Sequence, residues 1–194
     1  MKKWSLLIFA TLLMVVLAAC GETKEGSSEK DSSEGSKQET VTIKHELGEA
    51  TVPVNPKNVV VFDFGILDTL DELGIEVAGV PQVSVPDYLE KYAGSDYTNV
   101  GSLKEADFEA IHAMKPEVIF ISARQADMYE EYAKIAPTVY VPIDYTNYMD
   151  SFTKNMEMIA SIFGKEEEMK VELEEVNASI ESIQEKQKLW MKKH

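Results

Sequence analysis

Two apolar runs constrain the fold of this chain more than any other feature of its sequence. They are Val59–Phe62 and Val118–Ser122, the second apolar up to its last residue. A strand covered on both faces, as in a parallel sheet between helices, reads as a continuous run of this kind. The first run is followed by apolar residues at helical spacing over Ile66–Leu73, and Gly74 then suits the end of a helix. The sequence therefore predicts strand and helix in alternation.

The same alternation continues along the chain from Val41. An antiparallel hairpin that turns at Gly48-Glu49 is predicted first, and a turn is predicted at 99–101. The closing part of the chain reads as two long helices, and an apolar stripe from Met169 to Ile183 on the second is expected to pack against the protein. A mostly parallel sheet with right-handed crossovers and flanking helices is therefore expected, which is an α/β fold. The remaining predicted strands are 41–44, 50–52, 77–80 and 138–141, and the remaining predicted helices are a short one from 86, then 108–114, 128–135, 149–163 and a last one from about 165.

Ligands of open α/β sheets bind beyond the carboxyl ends of the strands. Arg124 directly follows a predicted buried strand and is the only arginine beside 18 lysines. Lys104 lies in the loop before another predicted helix. A planar guanidinium and a nearby ammonium would suit an anionic ligand. Residues alone leave two interpretations open, an anion site and an ordinary surface ion pair.

Composition argues against several classes of function. A net charge of −15 disfavours nucleic acid and anionic lipid headgroups as partners. The chain has no Gly-rich phosphate loop, no G-x-S-x-G and no H-E-x-x-H. Its three histidines are far apart, so no metal ligands are predicted. Asp63 and Asp144 follow predicted strands and leave a hydrolase as a remote alternative, but loop contacts or helix caps suit them better, and we predict no enzyme and no catalytic residue.

The amino terminus has the pattern of a secretory signal. Lys2 and Lys3 precede an apolar run that ends at Leu17-Ala-Ala-Cys20. This ending resembles the lipobox of bacterial lipoproteins, in which cleavage precedes an acylated cysteine. The resemblance implies a signal peptide over 1–19 and a lipidated Cys20, with palmitate among the acyl chains, at the extracytoplasmic face of the cell membrane. The polar stretch 20–40 is expected to be a disordered tether. A transmembrane anchor is the alternative, but the apolar run is short for one.

Four segments together resemble iron-siderophore binding lipoproteins of bacterial ABC importers, and most of all the petrobactin-binding members found in Bacillus-type bacteria. The resemblance extends from Val41 to about Gln187. The segments are 59–74, 99–105, 115–125 and 134–140.

The resemblance implies the N-terminal lobe of a class III periplasmic-binding-protein-like fold over 41–164, with a long inter-lobe helix and an aberrant tail over 165–194. The ligand would be a ferric siderophore rather than a cofactor, with an ABC permease and its ATPase as partners. Lys104 and Arg124 match basic positions that contact the ferric complex. Phe64 and Gln82 are expected beside them in the cleft, and Glu109 matches a carboxylate that docks on the permease.

The chain also departs from that family. Relatives continue into a second lobe where this sequence reads Lys188–His194, so a truncated product is expected, with a purposeful half-protein as the alternative. A one-lobed, tethered module that engages the permease or another partner without ligand therefore stays open. Ferric citrate, other catecholates, haem and corrinoids also stay open as ligands. Haem is disfavoured, because no usable His or Met pattern is present.

Overall fold

A five-stranded, wholly parallel sheet forms the centre of the part of the chain that the structure describes. The computed structural model describes residues 38–193. The strands there are β1 Thr40–His45, β2 Gly48–Pro53, β3 Val59–Val61, β4 Gly79–Val80, β5 Thr98–Asn99, β6 Val118–Ile121 and β7 Thr138–Tyr140. The order across the parallel sheet is β5-β4-β3-β6-β7, and a separate antiparallel hairpin, β1-β2, precedes it in the chain.

Within residues 38–193, five α-helices and two 3₁₀ segments connect or follow the strands. Asp63 caps the first helix, and Gly164 ends the fourth in a left-handed conformation. None of the helices within residues 38–193 combines the length and the apolar character needed to cross a membrane. The helices are α1 Phe64–Glu72, α2 Phe108–Met114, α3 Tyr129–Ala133, α4 Tyr148–Phe163 and α5 Glu166–Met191, and the 3₁₀ segments are Asp87–Ala93 and Ala123–Met128.

Alternate residues of the central strand enter two different cores. Val59 and Val61 join the cluster that contains buried residues of α1, α4 and α5. Val60 and Phe62 join the cluster formed with Ile111 of α2 and other residues on that side. Because successive side chains of a strand point to opposite faces, a strand buried on both faces must be apolar throughout. This confirms the α/β fold and the parallel sheet predicted from the two apolar runs.

The hairpin packs against the face of the sheet that carries α4. Ile43, Ala50 and Val52 are buried in the same cluster as the inner side of that helix. His45 fixes the end of β1, since its Nε2 lies 3.1 Å from the carbonyl oxygen of Thr138 in β7. The predicted hairpin is therefore confirmed, and its turn lies at residues 46–47 rather than at Gly48-Glu49.

Three local features differ from the sequence predictions. Thr98 and Asn99 form the edge strand β5, whereas a turn was predicted from Asn99, and a two-residue strand is too short to leave an alternation in sequence. The helix predicted over 128–135 is present as the shorter α3, and a 3₁₀ segment that was not predicted precedes it. Only Met169 and Leu173 of the apolar stripe on α5 are buried, and Ile183 is 64% exposed.

The structure does not test the boundaries predicted for the signal peptide and the tether. The signal peptide over 1–19, Cys20 and nearly all of the tether over 20–40 lie outside the described residues. Among the described residues, the first regular element begins at Thr40, close to Val41, where the prediction placed it. Glu39 already accepts a backbone hydrogen bond of 2.8 Å from Val54.

Candidate functional site

The carboxyl ends of the five parallel strands share one edge of the sheet. From β3 the chain moves outward through β4 and β5 on one side, and it then returns to β6 and moves outward to β7 on the other. The order therefore reverses between β3 and β6, which are direct neighbours. In open α/β sheets a crevice forms at such a reversal, and ligands bind there. Asp63 follows β3 at this point, and Ser122 and Arg124 follow β6.

A pocket of about 170 Å³ opens at this reversal. Arg124 is exposed and is one of the residues that line the pocket. Sites that enclose a small molecule usually measure about 300–1,000 Å³, so this pocket can hold part of a siderophore rather than enclose one. The residues that line it are Asp63, Gly65, Ile66, Ser122, Ala123, Arg124, Val141, Ile143, Tyr145, Tyr148, Phe152, Asn155 and Met156.

Asp63 joins the floor of the pocket to the start of α1. Its Oδ1 accepts hydrogen bonds from the backbone N–H groups of Gly65 and Ile66, at 2.9 and 3.1 Å. Its Oδ2 accepts a hydrogen bond of 2.8 Å from the hydroxyl of Ser122. Both oxygens are therefore engaged in capping the helix and in bridging β3 to β6. This use agrees with the predicted helix cap and leaves the acid/base alternative without support from the geometry.

Gln125 extends this polar chain toward the loop that carries Lys104. Its Oε1 accepts a hydrogen bond of 3.2 Å from the backbone N–H of Ser122. Its Nε2 donates a hydrogen bond of 2.6 Å to the carbonyl oxygen of Leu103. The side chain is only 2% exposed, although glutamine is usually found at the surface. Gln125 therefore holds together the segments that carry Arg124 and Lys104.

The loop that carries Lys104 is tightly folded. The Ser102 hydroxyl accepts hydrogen bonds from the backbone N–H groups of Lys104 and Glu105, at 3.2 and 3.0 Å. Gly101 has a φ of +100°, and a Cβ there would lie 2.4 Å from the carbonyl oxygen of Glu105. Only glycine fits such a position without a shift of the backbone. Lys104 is exposed on this hydrogen-bonded loop, and the pocket wall does not include it.

The other predicted site residues differ in what surrounds them. Phe64 begins α1 between two lining residues and packs partly against the first core cluster. The Nε2 of Gln82 donates to the carbonyl oxygens of Tyr92, Gly94 and Tyr97, at 3.1, 3.0 and 3.3 Å, so this amide braces the loop that follows it in the chain, before β5. Neither residue lines the pocket of Arg124. Glu109 is exposed in the first turn of α2. Their roles toward a ligand or a permease stay predictions.

Sequence reasoning missed two groups of residues at the site. Ser122 and Gln125 form the polar bridge, and their Ser-x-x-Gln spacing is a recognisable capping pattern. Tyr145 and Tyr148 line the pocket together with Phe152. Residues 148 and 152 are four positions apart on α4, a spacing that places both on one face. That spacing was a usable signal for the second group.

The loop between β7 and α4 carries a carboxylate that orders it. Asp144 Oδ1 accepts hydrogen bonds from the hydroxyl and the backbone N–H of Thr146, at 2.7 and 2.8 Å. Both hydrogen bonds lower the pKa of Asp144 below its ordinary value, and the one from the hydroxyl has the larger effect. Among residues 38–193, no group of three or more His, Cys, Asp or Glu side chains is placed to hold a metal ion.

Comparisons with known proteins place the chain among one group of binding proteins. A family model described as periplasmic binding protein matches residues 59–193. Petrobactin-binding protein YclQ of Bacillus subtilis is 46% identical over 187 residues, which is 94% of this chain and 58% of YclQ. The Fe(3+)-citrate-binding protein YfmC of the same organism is 35% identical, over 84% of this chain and 54% of its own length. The chain thus spans somewhat more than half the length of these relatives.

Solved structures agree with the sequence comparisons. The crystal structure of YclQ superposes with a TM-score of 0.74 at 48% identity, over 75% of this chain and 52% of that one. The catecholate-siderophore binding protein VctP of Vibrio cholerae superposes with a TM-score of 0.69 at 38% identity, over 77% of this chain and 55% of VctP. These matches confirm the class III periplasmic-binding-protein fold expected for the described lobe.

Proposed function

This chain belongs to the periplasmic binding protein family, and on that premise we propose that it captures a ferric siderophore for an ABC importer of iron. The ligand is a catecholate complex of the petrobactin type. The family consists of substrate-binding proteins rather than enzymes. The assignment of this ligand is supported by relatives named for petrobactin and for catecholate siderophores.

One observation carries the proposal. The only arginine of the chain lines a pocket at the carboxyl ends of β3 and β6, where the strand order reverses. Iron held by catecholate and carboxylate oxygens forms a complex with net negative charge. A guanidinium presents paired N–H donors to such oxygens, and the apolar wall of the pocket strengthens the attraction. A local cation is needed because the chain as a whole carries a net charge of −15.

The neighbouring residues have defined parts in the proposal. Lys104 supplies a second positive charge, and the hydrogen bond from Gln125 to Leu103 fixes its loop relative to Arg124. Phe64 offers an apolar contact beside the pocket. Gln82 acts through the loop that its amide braces. Of the predicted residues, Arg124 lines the pocket of about 170 Å³ directly, and the proposal places the others outside its wall.

We also propose where the protein acts and what it meets there. The lipobox ending in Cys20 supports an acylated protein held at the extracytoplasmic face of the cell membrane. Glu109, exposed in the first turn of α2, is the proposed contact for a basic side chain of the permease. The permease in turn works with its ATPase.

Titration with a ferric catecholate siderophore tests the binding role. We expect Arg124→Gln to weaken binding roughly ten- to a hundredfold, the loss typical of a charge-assisted hydrogen bond. Lys134→Gln is the matched control, because Lys134 is also exposed and pairs with Glu131 away from the pocket. Equal affinities for the Arg124→Gln variant and the unaltered chain would refute the role of Arg124.

The small size of the pocket supports a second candidate function. At about 170 Å³ it is below the range usual for enclosed ligand sites. The alternative is a tethered module that engages the permease or another partner without ligand. It predicts that association survives Arg124→Gln and fails on Glu109→Arg. A measurable affinity of the unaltered chain for the ferric siderophore would exclude it.

A further inference from the structure

Three aromatic side chains form a continuous strip along one side of the pocket. The aromatic strip consists of Tyr145, Tyr148 and Phe152, which all line the pocket with Arg124. The ring centroids of Tyr145 and Tyr148 lie 6.4 Å apart, as do those of Tyr148 and Phe152. The planes of Tyr148 and Phe152 are within 10° of parallel. These separations lie in the range at which aromatic rings interact.

Packing within the lobe explains only the inner end of the strip. Phe152 is partly buried against the first core cluster. Tyr148 is 50% exposed and Tyr145 is 87% exposed. Exposed apolar side chains scattered singly are common on proteins, whereas adjoining ones that form a patch are typical of a binding surface. We therefore expect the outer rings of the strip to contact a molecule that is not part of this lobe.

The backbone that carries the outer end of the strip is ordered. Asp144 and Thr146 flank Tyr145 and are joined by two hydrogen bonds of 2.7 and 2.8 Å. The Ser151 hydroxyl accepts a hydrogen bond of 3.1 Å from the backbone N–H of Asp144, which ties the loop to α4. At the start of the loop, Asn155 Nδ2 donates a hydrogen bond of 2.6 Å to the carbonyl oxygen of Pro142. A surface held in place before binding loses less entropy when a ligand arrives.

We infer that the aromatic strip stacks on an aryl ring of the ligand and selects ferric complexes with aromatic chelating groups over those with aliphatic ones. This inference rests on the proposed function, because it assumes that a ferric chelate occupies the pocket. Arg124 meets the negative oxygens of any such complex and does not distinguish an aryl chelator from citrate. The strip does distinguish them, since only the aryl chelator has a π face to stack.

Relatives named for different ligands match the chain, so selection of the proposed catecholate ligand depends on residues of the site itself. Proteins named for petrobactin and for ferric citrate both match the chain, at 46% and 35% identity. Both kinds of complex are anionic, so charge alone does not choose between them. The strip supplies a contact that depends on the shape and the π system of the chelator.

Equilibrium dialysis with two iron complexes of defined chemistry tests the inference. The probes are ferric tris(catecholate), which carries three aryl rings, and ferric citrate, which carries none. The variants are Tyr145→Leu and Tyr148→Leu, and both remove a π face at an exposed position. Tyr88→Leu is the matched control, since Tyr88 is 68% exposed and lies outside the pocket. Circular dichroism checks that each variant is folded.

We expect either strip variant to weaken binding of ferric tris(catecholate) roughly three- to tenfold while changing the affinity for ferric citrate less than twofold, and the control to change neither. Equal losses for both complexes, or none for either, would overturn the inference. If Arg124→Gln weakens both complexes while the strip variants change neither, the inference fails and the proposed function stands. If the unaltered chain binds neither complex, both fail.

Discussion

The side-chain amide of Gln125 donates a hydrogen bond of 2.6 Å to the carbonyl oxygen of Leu103. Gln125 follows Arg124 in sequence, and Leu103 precedes Lys104. A single buried side chain therefore joins the two segments that carry the predicted cations. The other end of the same amide accepts from the backbone of Ser122, whose hydroxyl donates to Asp63. The site is thus built on one polar chain across the ends of β3 and β6.

Replacement of Gln125 by leucine should loosen the loop of Lys104. The substitution keeps the size of the side chain but leaves the carbonyl oxygen of Leu103 and the N–H of Ser122 without their partners. Buried unpaired groups of this kind cost about 1–3 kcal/mol each, so we expect a clear loss in the free energy of unfolding, measured with urea. Gln184→Leu, an exposed position on α5, is the control. A change smaller than about 0.5 kcal/mol, as is usual for surface sites, would contradict the structural role.

Removal of the Asp63 carboxylate should destabilise the lobe by a second route. Asp63→Ala deletes the cap of α1 and the acceptor of the Ser122 hydroxyl. Loss of a helix cap costs about 0.5–2 kcal/mol. In a chain of this length each kcal/mol lowers the Tm by about 2–4 °C, which calorimetry resolves. Asp68→Ala, on the exposed side of the same helix, should leave the Tm nearly unchanged. Equal shifts for the two variants would contradict the capping role.

The central fold was predictable because a strand buried on both faces of a sheet appears in the sequence as a continuous apolar run. The apolar run over Val59–Phe62 predicted β3, and Gly74 predicted the end of the first helix. The edge strand β5 has no such apolar run, since it consists of only two residues and both are exposed. The apolar stripe on α5 also did not indicate how many of its residues are buried. Helical spacing records which residues share a face, but not what covers that face.

The site was predictable only in part, for a related reason. Arg124 stood out because it is the only arginine and follows a buried strand. The link from Gln125 to Leu103 joins residues 22 positions apart, and nothing in local sequence specifies that contact. Gln82 was expected at the ligand, whereas its amide is occupied by three backbone carbonyls of its own lobe. Position after a strand predicts which edge a residue occupies, but not which partners it finds there.

Stability should fall in mildly acidic solution because of His45. Burial lowers the pKa of His45 below its ordinary value of 6.5, and the hydrogen bond with the Thr138 carbonyl offsets this only in part. The unfolded chain therefore binds a proton more readily than the folded one. The contribution of His45 is fully present above about pH 6.5 and is lost as the pH falls through the pKa of the folded state. Urea unfolding between pH 7.5 and pH 5 measures it, as differences in the free energy of unfolding.

His45→Gln isolates this effect, since its amide can still donate to Thr138 but does not titrate in that range. The variant should lose less stability between pH 7.5 and pH 5 than the unaltered chain does. His112→Gln, at an exposed position of α2, serves as the comparison and should keep the behaviour of the unaltered chain. If both variants keep the full pH dependence, His45 is not its source.

Charge reversal at Glu109 should separate docking from folding. Because Glu109 is exposed, Glu109→Arg should leave the Tm and ligand affinity close to those of the unaltered chain. Association with the permease in detergent should instead become markedly weaker, since like charges would then face each other. Glu130→Arg, an exposed carboxylate on α3, is the matched reversal. Equal weakening by both reversals would indicate a general charge effect rather than a docking contact.

Mapping of the bound ligand by NMR tests the central claim most directly. Backbone amide shifts of the chain would be recorded with and without the gallium form of a catecholate siderophore, which is diamagnetic and has the charge of the ferric form. We expect the changes to concentrate at residues 63–66, 102–105, 122–126 and 141–148, around the reversal between β3 and β6. Changes centred on residues 55–57 and 74–76, which line another pocket, or no changes at all, would contradict the account.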